Sequence, residues 1–240
     1  MVRNITVTSV VDAVVNDLKA QVLTQELPAG TALTEHDVAS RYDVARATAK
    51  AAIERLVATK VLERSTNKTA RVVLLGPDDV RDIYNTRIYL ESEVLRRLAQ
   101  KHSYPASSRA ANAEIKALWA DGIWDITDPD MRFHTDLVAH LNSRRTNRVY
   151  RSLAFEVKLC MSQMQDSQRL SPEIIIAEHD RLLDLIGEGD GAGAARLLDE
   201  HLSRARELLV GVMGGVAGPE SQLPCSVLPA PAAVGDLQRA

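Results

Sequence analysis

Val11, Val14, Val15, Leu18, Val22 and Leu23 recur at the three- and four-residue spacing of one helix face, and Pro28 and Gly30 lie where that helix has ended. Thr34 followed by Asp37 reads as an N-cap with an acidic capping-box partner, opening a short helix that runs to about Arg41. YDVAR then makes a tight turn, and a third helix from about Ala45 to Thr59 buries Ala52, Ile53 and Leu56. Two apolar runs, VLERS and ARVVLL, flank TNKT; they form a hairpin with Asn67 as the positive-φ residue of its turn. Three helices closed by a hairpin make a winged helix-turn-helix.

Residues 77–213 read almost wholly as amphipathic helix, so the fold class is mainly α: a winged helix-turn-helix over 1–75 followed by an all-helical bundle over 76–213. The first bundle helix runs from Asp78 to about Lys101, and a second follows Pro105 to about Trp119. Asp128-Pro129 supplies an N-cap and first-turn proline for a helix ending near Asn142. Another starts near Thr146. The last two helices form a hairpin turning through GEGDGAG near Asp190. From 214 to 240 the chain is rich in Pro, Gly and Ala without periodicity, the composition of a disordered tail.

Composition changes this picture only locally. Apolar residues are 45% and charged residues 25%, ordinary for a soluble globular protein, and the net charge of −3 gives no overall basic field. Residues 1–75 hold ten Lys/Arg against eight Asp/Glu, so the small positive excess sits with the helix-turn-helix. There Arg46 and Lys50 share the front of the third helix, with Ala47 and Thr48 between them, while its back is apolar: the geometry of a major-groove reader. Lys68 and Arg71 on the hairpin can add backbone contacts. Double-stranded DNA is the expected partner. Two cysteines in unrelated contexts argue against a disulfide framework, and no apolar run reaches the ~18 residues of a membrane span, so a soluble, cytoplasmic protein without a membrane partner is expected.

The histidines carry the candidate chemistry. His179 lies eleven residues before Asp190 and His201 eleven after it, so an antiparallel hairpin sets them at the same height. Leu182, Leu183 and Ile186 put His179 on an apolar stripe, and Leu197, Leu198, Leu208 and Leu209 do the same for His201. In DMRFH, Asp130 and His134 are four apart and share one face, continued inward by Leu137 and Leu141. His140 lies about 240° around that helix from His134 and faces elsewhere. Each histidine taken singly is as well explained as a hydrogen-bonded residue. Together, three imidazoles and a carboxylate form the N/O donor set that a divalent ion prefers, Zn²⁺ or Ni²⁺ first.

The stretch LPAGTALTEHDVASRYDVARATAKAAIERLVATKVLER, residues 27–64, resembles the DNA-binding domain of GntR-family bacterial regulators. The resemblance implies Arg46 and Lys50 as base readers, with Ala47 and Thr48 beside them and His36 from the preceding helix. It departs at Ala45 (usually Ser or Thr), at Thr48 (often Pro), at Ala51 (usually Glu) and at Lys50, where an arginine could hold guanine bidentately. The wing also lacks the customary glycine. Residues 77–213 resemble the FCD effector domain of FadR-type members, whose metal-binding representatives carry Asp-x-x-x-His on one helix and single histidines on the last two. DMRFH, EHDRLLDLI and DEHL fill all four positions. The resemblance therefore implies Asp130, His134, His179 and His201 as metal ligands, with Arg87 and Ser143 as pocket residues for a small carboxylate effector. It implies a homodimer whose two reading heads are set by that effector. A purely structural metal is the nearest alternative. A metal-dependent hydrolase is a further one, disfavoured because Glu178 projects about 100° away from His179 and no other base is aimed at the site.

Overall fold

A computed structural model of the chain describes residues 9–64, 69–162 and 170–214. Helices α1 (Val10–Leu23), α2 (Glu35–Tyr42) and α3 (Arg46–Ala58) pack with a sheet of strands β1 (Ala32–Leu33), β2 (Leu62–Glu63) and β3 (Ala70–Val72). The predicted hairpin is the antiparallel pairing of β2 with β3, Leu62 opposite Val72. Strand β1 was not anticipated; it pairs antiparallel on the other side of β3, Leu33 opposite Ala70, and gives the order β1-β3-β2. Asn67, Lys68 and the segment 215–240 lie outside the described residues.

Local chemistry sets these elements. Thr34 Oγ1 accepts from the Asp37 amide at 3.1 Å and the Asp37 carboxylate accepts from the Thr34 amide at 3.3 Å, closing the predicted capping box. Asp43, at φ 49° and ψ 50°, is the left-handed residue that ends α2 and turns the chain into α3. Val14, Leu18, Ile53, Leu56, Val61 and Val72 fill the core of this head.

Six further helices follow among the described residues: α4 (Pro77–Ala99), α5 (Ala106–Ala120), α6 (Thr127–His140), α7 (Arg144–Ser162), α8 (Pro172–Glu188) and α9 (Gly191–Val212). The start of α6 differs from expectation. Its N-cap is Ile126, not Asp128, which places Pro129 at the third helical position. Proline is tolerated there because first-turn amides have no intrahelical acceptor. Between α8 and α9, Gly189 adopts φ +85° and Asp190 caps α9 by accepting from the Gly193 amide at 2.8 Å. Gly189 could not carry a side chain, since a Cβ would strike the His102 ring.

The bundle encloses a second core around Leu98, Phe133, Leu182, Leu183, Leu198 and Val210. Helix α7 touches both cores. Its Leu159 is buried in the head, its Phe155 ring lies 4.9 Å beneath the Lys19 ammonium, and Ser162 Oγ accepts from Gln25 Nε2 at 3.0 Å. No helix among the described residues is long and apolar enough to cross a membrane.

Candidate metal centre

Four side chains from three helices converge in the bundle. Asp130 and His134 come from α6, His179 from α8 and His201 from α9; all four are buried. One ligand atom from each lies within 4.8 Å of the others. Donors held ~2.0–2.2 Å from one ion sit about 3.3–3.6 Å apart in a tetrahedron and about 4.4 Å apart when opposite, so the set closes on a cation when its widest pair draws together. The ring centroids of His179 and His201 are 5.2 Å apart, as the level hairpin requires.

Each ring is oriented by a different neighbour. His134 Nδ1 is 2.7 Å from Glu91 Oε2, and His201 Nδ1 is 2.7 Å from Glu178 Oε2. A carboxylate on Nδ1 selects the tautomer that leaves Nε2 as a lone-pair donor aimed into the cluster. His179 has no such partner; its ring stacks flat on Phe133, centroids 3.7 Å apart and planes 1° from parallel. Both nitrogens of His179, Nε2 of His134 and Oδ1 of Asp130 are buried without a hydrogen-bond partner. A buried unsatisfied polar atom costs roughly 1–3 kcal/mol, and a shared cation relieves three of them together: one nitrogen of His179, Nε2 of His134 and Oδ1 of Asp130. The donor set fits a divalent ion.

The electrostatics agree. Burial lowers the pKa of all three histidines, that of His179 well below the usual imidazole value, and Glu91 and Asp130 only partly offset this at His134 and His201. Neutral imidazole is the form a metal accepts. Glu91 shows the reverse balance: burial pushes its carboxyl up, but Arg87 and His134 outweigh this and hold it at about 2.

Glu91 is the hub that sequence reasoning overlooked. It accepts from Arg87 Nε at 2.8 Å and from the Tyr150 hydroxyl at 2.8 Å, besides holding His134. The Arg87–Glu91 spacing of four on an apolar helix face was legible; its pairing with α6 and α7 was not. Glu178 also belongs here. It was read as turned away, yet it reaches across to α9, where Arg204 binds its second oxygen.

Arg87 is buried, 2% exposed. Its Nη2 is buried without a partner, and it lines a cavity of about 50 Å³ together with Asp130 and His201. Ser143 is not brought to this site. It opens the turn before α7, with its hydroxyl 2.8 Å from Thr146 Oγ1, and lines a separate groove along the outer face of α4. His140 and His102 stand apart too, contacting Ser103 Oγ at 3.0 Å and the Gly187 carbonyl at 2.9 Å.

On the head, His36, Arg46, Ala47 and Lys50 are exposed and Thr48 is half-buried at the start of α3. Arg46 and Lys50 are held only by loose ion pairs, to Glu35 at 4.0 Å and Glu54 at 3.8 Å. Ala45 caps α3 without a side-chain hydrogen bond; its carbonyl accepts from the Thr48 amide at 2.9 Å, and the Arg46 and Ala47 amides have no intrahelical acceptor. Arg71, on β3, donates to the Gly30 carbonyl at 2.9 Å, which ties its side chain to the turn before β1.

Comparisons with known proteins agree with both halves. Residues 10–72 match the gntR family of bacterial regulatory proteins, and residues 82–204, half of the chain, match the FCD domain. The HTH-type transcriptional regulator BphR of Paraburkholderia xenovorans (strain LB400), itself uncharacterized, is 35% identical over 91 residues, covering 38% of this chain and 37% of that relative. A crystal structure described as a transcriptional regulator GntR from Rhodococcus sp. RHA1 superposes with a TM-score of 0.70 at 21% identity, over 84% of this chain and 97% of that one. McbR/YncC of E. coli gives 0.68 at 18% identity, over 85% and 99%. At these identities the two structures speak for the fold. The domain matches carry the conclusion: the chain belongs to the GntR family of bacterial regulatory proteins and carries an FCD domain behind its winged helix-turn-helix.

Proposed function

We propose that this chain is a transcriptional regulator that binds an operator through its head and is controlled by a small carboxylate at a divalent-metal site in its bundle. The observation that carries the control is the convergence of four buried donor side chains, three of them with an unpartnered polar atom, beside a buried arginine with a spare guanidinium nitrogen. Asp130, His134, His179 and His201 would hold the ion, with Zn²⁺ or Ni²⁺ matching the donors. When bound, the ion supplies open coordination positions for a carboxylate. Arg87 then offers Nη2 to the same anion while Glu91 keeps its Nε.

On the head, Arg46 and Lys50 read bases, Thr48, Ala47 and His36 border the groove, and the open α3 amides suit a phosphate. Arg71, with Asn67 and Lys68 on the wing, borders the duplex backbone. Helix α7 links the sites: Tyr150 holds Glu91, and Phe155, Leu159 and Ser162 hold the head. A ligand that alters the Arg87–Glu91 geometry thus has a physical route to the reading helix.

The reading includes a homodimer. The exposed face of α4 and α7 carries Tyr89 and Val149, 74% and 56% exposed, at its centre. Asp79, Asp82 and Glu156 lie at one end beside Lys60, and Arg97, Arg145 and Arg148 at the other, where Arg97 is paired with Glu93 at 2.7 Å. A two-fold axis through the centre brings acid onto base twice, the self-complementarity that an isologous contact needs. Neither nearby carboxylate suits hydrolysis, since Glu91 and Glu178 are both engaged by a histidine and an arginine.

Selection of binding sites from random duplex DNA tests the regulator reading. The expected product is a palindrome with half-sites about one helical turn apart, whose retention changes when a carboxylate is added to the zinc-loaded protein. Recovery of no sequence above the starting pool would contradict it.

A further inference from the structure

The three imidazoles of the centre are held by unlike means. His134 and His201 each take a carboxylate on Nδ1, whereas His179 has no hydrogen-bond partner on either nitrogen. A buried ring without a directional bond keeps its orientation only through the surfaces packed against it. For His179 the flat surface is Phe133, with centroids 3.7 Å apart, planes 1° from parallel and both residues 0% exposed.

The local structure makes Phe133 a fixed platform. It lies three residues after Asp130 and directly before His134, so DMRFH sets two donors and the aromatic ring on one side of α6. The same ring stands nearly perpendicular to His134, centroids 5.3 Å apart and planes at 83°. Its backbone is anchored from α5, where the buried Ser108 hydroxyl donates to the Phe133 carbonyl at 3.0 Å. The consequence is visible at the donor atoms. With the His179 ring flat on Phe133, Nε2 stands 3.5 Å from Asp130 Oδ1, a separation that suits two donors about 3.3–3.6 Å apart on one tetrahedral ion. Tilting the ring off Phe133 would carry Nε2 away from this position, and no hydrogen bond would return it.

We infer that Phe133 is a positioning residue of the metal centre. It does for His179 by ring stacking what Glu91 and Glu178 do for the other two imidazoles by hydrogen bonding. The inference rests on the metal reading above and adds a residue outside the donor set.

Competition of the full chain against a chromophoric zinc chelator tests it, in a cycle of Phe133→Leu and His179→Ala, singly and together. Phe133→Leu should weaken zinc binding about three- to tenfold in the otherwise unmodified protein. In the His179→Ala background the same change should shift zinc affinity less than about twofold, because its route to the ion is gone. Equal loss in both backgrounds, the mark of a residue that only fills the core, overturns the assignment, as does no loss in either; both leave the metal centre standing. Phe133→Met replaces the leucine variant should that one fail to fold. If His179→Ala holds too little zinc to titrate, X-ray absorption at the zinc edge of Phe133→Leu decides the matter. A weakened imidazole contribution is expected there, and a shell identical to that of the unmodified protein overturns the assignment. No zinc uptake by the unmodified protein overturns the metal reading itself, and the assignment with it.

Discussion

Beneath the reading helix the core is aliphatic, with Leu18, Ile53, Leu56 and Val72 filling it, and Arg46 and Lys50 stay in solvent. The bundle core instead encloses Arg87, Glu91, Asp130 and three histidines among its leucines. The head is stabilised by non-directional burial, which leaves its outer face free to vary with the DNA it reads. The bundle places its functional groups where each must be neutralised or ligated, so its chemistry and its stability are the same interactions. Substitutions should therefore separate function from stability in the head and couple them in the bundle.

The largest effect should come from Glu91→Ala. Removing the hub leaves Arg87 as an uncompensated buried charge and frees Tyr150 and His134 Nδ1. A loss of about 3–5 kcal/mol is expected by denaturant unfolding. The contrasting change, Arg46→Ala, should move stability by no more than about 0.5 kcal/mol while reducing operator affinity by roughly 1–3 kcal/mol in a fluorescence-anisotropy titration. Equal destabilisation by the two would erase the contrast.

Acid should expose the same asymmetry. The three histidines have folded pKa values below 6.5, so the unfolded chain binds more protons than the folded one once pH falls under that value. Each histidine then costs up to about 1.4 kcal/mol per pH unit. Glu91 is held at about 2 against an ordinary 4.5, so its contribution is present above pH 4.5 and is lost as pH falls toward 2. Calorimetric melting across this range should show metal-free protein weakening first below pH 6.5 and again below 4.5. A flat profile between 7 and 5 would mean the imidazoles are not buried as described.

Smaller effects sharpen the comparison. Tyr150→Phe removes one hydrogen bond to Glu91, an expected loss of about 0.5–1.5 kcal/mol, and should weaken the response of DNA affinity to ligand more than the affinity itself. Lys50→Arg should leave the melting temperature unchanged and redirect base preference at one position toward guanine, read by repeating the binding-site selection.

Most of the element order was legible in hydrophobic spacing, because helices with one buried face announce themselves every three or four residues. The Thr34–Asp37 box and the level placement of His179 and His201 also follow from local counting. What escaped depends on neighbours. Strand β1 is two residues long, too short for an alternating pattern. Asp128-Pro129 does not fix the register of α6, because proline fits any first-turn position. Glu91 and Glu178 sit on recognisable helices, but which helix packs beside them is a tertiary fact. Glu178 shows it best: turned from His179, it is still within reach of His201 once α9 lies alongside. Ser143 failed for the same reason, being placed on the outer groove.

X-ray absorption at the zinc edge, on purified full-length protein and on His179→Ala, reaches the central claim directly. The account predicts one ion per chain with three imidazole nitrogens and at least one oxygen in its shell, and one imidazole fewer in the variant. A zinc-saturated protein whose shell holds fewer imidazoles, or does not change when His179 is removed, would contradict it.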